Sequence, residues 1–97
     1  MVDGTQYNDN IGEHERRIIY FLDKVRTKLS EEDIIDIVEF AKYGEWGLAY
    51  ETLCMDMYAY KISINNRLCE EMTEYGKFIR IDKAYYLLLK ELATSDE

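Results

Sequence analysis

Proline is absent from the 97 residues, and glycine occurs only five times. A sandwich or barrel needs many tight turns, so the shortage points to helices joined by short loops. Histidine occurs once, at His14. A His-rich metal site and a dyad of two imidazoles are therefore excluded. The only cysteines, Cys54 and Cys69, lie on apolar stretches. They are expected to be reduced and to act as small buried hydrophobes, because a small extracellular chain would often carry two or more disulfides. No run approaches the roughly 18 apolar residues of a membrane span. Residues 1–10 carry neither a basic start nor the apolar core of a signal peptide. A soluble, cytoplasmic protein is expected. Glycine-rich phosphate loops, the calcium-loop pattern and metal-ligand spacings are all missing, so no cofactor and no metal is expected.

What is present is charge of one sign in one place. Residues 31–56 carry eight carboxylates (Glu31, Glu32, Asp33, Asp36, Glu39, Glu45, Glu51, Asp56) against a single base, Lys42. That is −7 of a total formal charge of −8, and the remaining twelve acids and eleven bases nearly cancel. A concentrated field of one sign speeds encounter with a partner of the opposite sign and carries no information about fold. With its largest charge cluster acidic, the chain is expected to bind neither nucleic acid nor membrane.

Helical periodicity begins at Ile11, with Ile18, Phe21, Leu22, Val25 and Leu29 on one face. Ser30 followed by Asp33 fits a capping box that opens a second helix, with Ile34, Ile37, Val38 and Ala41 inward and Gly44 as its stop. A third helix is expected from about Glu45 to Tyr60. Trp46, Ala49, Tyr50, Leu53, Met57 and Tyr60 form one face, and Leu48, Met55 and Ala59 the other. An apolar residue on both sides predicts a central helix packed from two directions. Ser63 is the expected cap of a fourth helix with Leu68, Met72, Tyr75 and Ile79. Asp82 is the expected cap of a fifth with Ala84, Tyr85, Leu88 and Leu92 inward. The expected architecture is all-α, a compact bundle of four to five short helices, as one domain over residues 11–93 between frayed termini at 1–10 and 94–97.

Glu32, Asp36, Glu39 and Tyr43 follow spacings of four, three and four, which makes them a ridge opposite the inward stripe of the second helix. Every surface helix needs a solvated face, and helix starts favour acids in any case. The absence of interspersed bases, Tyr43 at the end of the ridge and Phe40 on its flank tilt the ridge toward a protein interface. Glu45 at the helix junction and the outward Tyr58 complete the expected partner-binding set. Tyr20 also faces outward. Trp46 is expected in the core, as are Tyr50, Tyr60, Tyr75 and Tyr85. Catalysis has little to build on. The carboxylates sit on an exposed ridge rather than in a cleft that drives their pKa values apart, and no local pattern pairs His14 with either cysteine. The chain is expected not to be an enzyme and to take no small-molecule substrate.

From Leu29 to Leu92, about two thirds of the chain, the sequence resembles the MafI-type immunity proteins of bacterial toxin–immunity systems. The likeness rests on the opening Ser30-Glu31-Glu32-Asp33, the string Gly44-Glu45-Trp46-Gly47-Leu48-Ala49 and the continuation Glu51-Thr52-Leu53-Cys54 to Tyr58. Ile62-Ser63-Ile64 and the Leu-rich last helix, Tyr85 to Leu92, follow. It implies a small helical cytoplasmic protein that binds a cognate secreted toxin domain one to one, with an EndoU-like or related nuclease as the toxin. Independently, a protein that cleaves RNA presents a basic groove, and an acidic ridge can occupy it. The alternative is an acidic helical adaptor that binds a basic cellular protein reversibly.

Overall fold

The structure, a computed structural model, describes residues 2–94, with side chains described for residues 12–94. Five helices follow one another: α1 Val2–Val25, α2 Glu31–Lys42, α3 Trp46–Ala59, α4 Asn66–Phe78 and α5 Lys83–Leu92. A 3-10 turn, Arg26–Lys28, joins α1 to α2. The fold is all-α apart from two short strands, β1 Ile64–Asn65 and β2 Ala93–Thr94, which pair in parallel and tie the end of α5 to the start of α4. α1 begins at Val2 rather than at Ile11. Fraying at 95–97 and the inward position of Ile11 concern residues or side chains outside those described.

Helix α3 is the centre of the bundle, packing on α1, α2 and α5, while α4 lies along α5. The core draws Ile18, Phe21, Leu22 and Val25 from α1, Ile37 and Ala41 from α2, and Ala49, Tyr50, Leu53, Cys54 and Met57 from α3. Leu68, Cys69, Met72 and Tyr75 of α4 and Leu89 and Leu92 of α5 close it. Both cysteines are free and buried, and burial pushes the Cys54 thiol up to about 12, so it stays protonated.

Local chemistry sets the boundaries. The Ser30 hydroxyl accepts the Asp33 N–H at 3.1 Å, as the capping pattern requires. Asp82 accepts the Ala84 N–H at 2.9 Å and opens α5. α2 closes with paired bonds from the Gly44 N–H to Ala41 (3.2 Å) and from the Glu45 N–H to Phe40 (2.8 Å), with Gly44 at φ 80°. This is the Schellman arrangement, and it needs a left-handed residue at that point. α3 and α4 end the same way, but with Lys61 (φ 55°) and Arg80 (φ 63°) as the left-handed residues. A base near a helix C-terminus meets a favourable dipole, which offsets part of the strain of a side chain at positive φ.

Four expectations are corrected. Asn65, not Ser63, caps α4, accepting the Leu68 N–H at 2.8 Å, because β1 carries the chain two residues further before the helix starts. The second apolar side of α3 is not packed: Leu48 and Met55 are 44% and 52% exposed, since the helices that touch α3 cover its other side. Tyr60 is 45% exposed rather than core, because it falls at the C-cap, where the chain leaves the bundle. On α5 the fully buried residue is Leu89, while Ala84 in the first turn is exposed.

Candidate functional site

α2 begins at an N-cap that fixes Glu31, Glu32 and Asp33 in its first turn, where the dipole favours their charge. Because Ile37 and Ala41 are buried, the 3.6-residue period turns Glu32, Asp36, Glu39 and Tyr43 to solvent, and all four are exposed. The Schellman turn at Gly44 then swings Glu45 back beside the end of the ridge. Asp36, Glu39, Phe40, Tyr43 and Glu45 together line a shallow groove of about 280 Å³. Phe40 forms its half-buried wall against the core. Tyr43 is 76% exposed, the most open of the large hydrophobic side chains among the described residues. No carboxylate of α2 makes an ion pair among the described residues.

Of the expected partner-binding residues, the groove gathers five. Glu32 stands further toward the α2 N-terminus on the same exposed face. Tyr58 lies elsewhere. Its ring is half-buried against the core, its hydroxyl donates to Glu91 Oε1 at 3.3 Å, and Lys61 Nζ sits 5.0 Å from the ring centroid. Two residues from both Asp56 and Tyr60, it projects from the opposite flank of α3. Tyr20 is outward, as expected, with its hydroxyl donating to Glu71 Oε1 at 3.0 Å.

Nothing in the α2 spacing points to the residues α3 adds. Tyr60 donates to Asp33 Oδ2 at 2.6 Å, and Asp56 faces Asp33 and Asp36 across the α2–α3 contact. Asp56 Oδ2 is buried and has no hydrogen-bond partner among the described residues. Burial first, and the neighbouring Asp33 and Asp36 second, push its carboxyl up to about 6. The one sequence cue is an acid set between Met55 and Met57 on a helix whose only other charged residue is Glu51.

The sign of this perturbation fixes a pH dependence. Between 3.8, the ordinary value, and about 6, the folded protein keeps a proton that the unfolded chain releases. Stability is thus lost as pH rises through that window, and the loss is complete above it. Asp56→Asn is expected to raise stability at neutral pH by about 1 kcal/mol, since solvent at this partly open face screens some of the repulsion. The gain should shrink toward pH 4. Thermal melts of both proteins at the two pH values measure it, and an equal gain at both would refute the assignment.

A second aromatic cluster sits where α1 crosses α3 and α4. Trp46, expected in the core, is half-buried and stacks on His14 with centroids 4.2 Å apart and planes 12° apart. His14 Nδ1 lies 2.7 Å from the Tyr75 hydroxyl, and burial lowers the pKa of the ring, favouring the neutral imidazole that accepts from that hydroxyl. Among the described residues the ring packs against Trp46, Tyr75 and Phe78, contacts that tie α1 to α3 and α4.

Among the described residues, no group of histidine, cysteine, aspartate or glutamate is arranged to hold a metal ion. No helix among them is long and apolar enough to cross a membrane. Comparison with protein-family models, with curated proteins and with solved structures gives no match.

Proposed function

We propose that the protein is a cytoplasmic immunity protein that binds a cognate secreted toxin domain one to one and neutralises it, with the α2 face as its contact surface. The toxin is a basic nuclease, of the EndoU-like class that the Gly44 to Ala49 resemblance suggests. The observation that carries this reading is the unpaired acidity of α2. Its exposed carboxylates make no ion pair among the described residues, and two of them, Asp36 and Glu39, border a groove walled by Phe40 and Tyr43. Side chains that repel one another in the free protein are relieved when a basic surface covers them. Tyr43 supplies the aromatic anchor that interface centres favour.

Co-expression with the toxin domain encoded beside it tests this. The expected outcome is restored growth and a single peak of one-to-one mass by gel filtration. Growth that stays arrested with no complex would reject the function, whereas a weak, rapidly exchanging complex with an unrelated basic protein would favour the adaptor.

A further inference from the structure

Three of the twelve bases line a cavity that shares no residue with the acidic groove. Lys24 at the end of α1, Lys28 in the 3-10 turn and Arg67 at the start of α4 line a cavity of about 450 Å³, and Glu71 is the only acid among its described lining residues. Among the described residues three bases thus face one carboxylate, in a chain of formal charge −8. Glu71 is already engaged, accepting from the Tyr20 hydroxyl at 3.0 Å and lying 3.9 Å from Arg67 Nε. Lys24 and Lys28 make no ion pair among the described residues, and Lys24 Nζ lies over the Tyr20 ring, 4.8 Å from its centroid. Beneath the bases, Val25, Ile62, Ile64 and Leu68 give the cavity a buried apolar floor.

We propose that this cavity binds a small organic phosphate such as a sugar phosphate, with Lys24, Lys28 and Arg67 holding the phosphate and Ser63, Asn65 and the apolar floor receiving the organic body. Cations that repel one another around a concavity are relieved by an anion, and a phosphate offers several acceptor oxygens to several donors at once. The cavity is far larger than a bare inorganic anion requires and falls in the range of about 300–1,000 Å³ typical of small-ligand sites. An extended polyanion fits poorly, because a nucleic acid strand or an anionic bilayer reaches past the cavity and meets the field of a strongly negative protein. A ligand confined to the cavity feels mainly the nearby bases, since charges more than about 8–10 Å away are screened at physiological salt. The site shares no residue with the acidic face, so it stands or falls independently of the proposed function.

The test follows amide shifts of the isotope-labelled full chain during titration with inorganic phosphate, ribose phosphate and ribose, at constant ionic strength. Saturable shifts confined to residues 24–28 and 62–68 are expected, with ribose phosphate binding more tightly than inorganic phosphate and ribose not binding. The double variant Lys24→Glu, Lys28→Glu changes two exposed side chains and should keep the native spectrum while weakening ribose phosphate by about tenfold or more. If the double variant fails to fold, Arg67→Gln gives the same reading with a smaller loss. The proposal is overturned if ribose phosphate binds no more tightly than inorganic phosphate, or if the variants leave its affinity unchanged. It is likewise overturned if a short single-stranded RNA or phosphatidylglycerol vesicles bind more tightly than the sugar phosphate.

Discussion

Reversing Glu32, Asp36 and Glu39 to Lys is expected to slow association with the basic partner by about 10- to 100-fold while leaving the fold intact. All three side chains are exposed and none makes an ion pair among the described residues, so their loss removes no contact that holds the bundle together. The stability cost should stay within about 1 kcal/mol, and most of it comes from the Glu32→Lys change, which sets a cation near the positive end of the α2 dipole. Exposed charges act chiefly on the rate of encounter. Tyr43→Ala should behave oppositely, speeding dissociation with little change in association, because an aromatic anchor gains its energy only once desolvated. Surface-binding kinetics with the co-expressed toxin domain separates the two. Raising salt should reproduce the triple reversal, lowering the association rate and leaving dissociation nearly flat, since only the long-range attraction is screened. A triple reversal that associates as fast as the wild type would place the interface away from α2.

Much of the fold is legible in the sequence, because α2 and α5 carry caps whose chemistry is local. Ser30, Gly44 and Asp82 each need only neighbours within three residues, and each acts where the pattern puts it. What the pattern misses depends on contacts distant in the chain. The parallel pairing of Ile64 with Ala93 is what displaces the α4 cap from Ser63 to Asn65, and no local rule reports a partner 29 positions away. The exposed side of α3 fails for a related reason: Leu48 and Met55 have the composition of a buried stripe, and only the placement of the other helices shows that nothing covers it. On the candidate site, the spacing on α2 is enough to bring Asp36, Glu39 and Tyr43 to one exposed groove with Phe40 and Glu45. It cannot report Asp56, whose perturbation arises across the α2–α3 contact, nor that Tyr58 is drawn toward Glu91 on α5.

Gly76→Ala is expected to destabilise the protein by about 1–3 kcal/mol, although an exposed glycine in mid-helix would gain about 1 kcal/mol from the same change. A Cβ at Gly76 would stand 2.7 Å from Tyr50 Oη, 2.9 Å from Tyr86 Cδ2 and 3.0 Å from Tyr50 Cζ. Tyr50 has nowhere to go. Its side chain is fully buried at the centre of α3, and its hydroxyl donates to the Met72 carbonyl at 2.6 Å, one turn before Gly76 on α4. Moving the ring off a new methyl would break that bond and open a gap among close-packed side chains. For a domain of this size each kcal/mol lowers the melting temperature by about 4–8 °C, so a thermal melt resolves the effect. Tyr50→Phe removes the atom nearest the added methyl and, by itself, should cost about 1 kcal/mol for the lost hydrogen bond. In the Tyr50→Phe background, Gly76→Ala should therefore cost less than in the wild type, a coupling of about 1 kcal/mol in a double-mutant cycle. Part of the penalty should persist, because Tyr86 still crowds the site from α5. Strict additivity of the two changes would mean that the Tyr50 hydroxyl is not what keeps residue 76 a glycine.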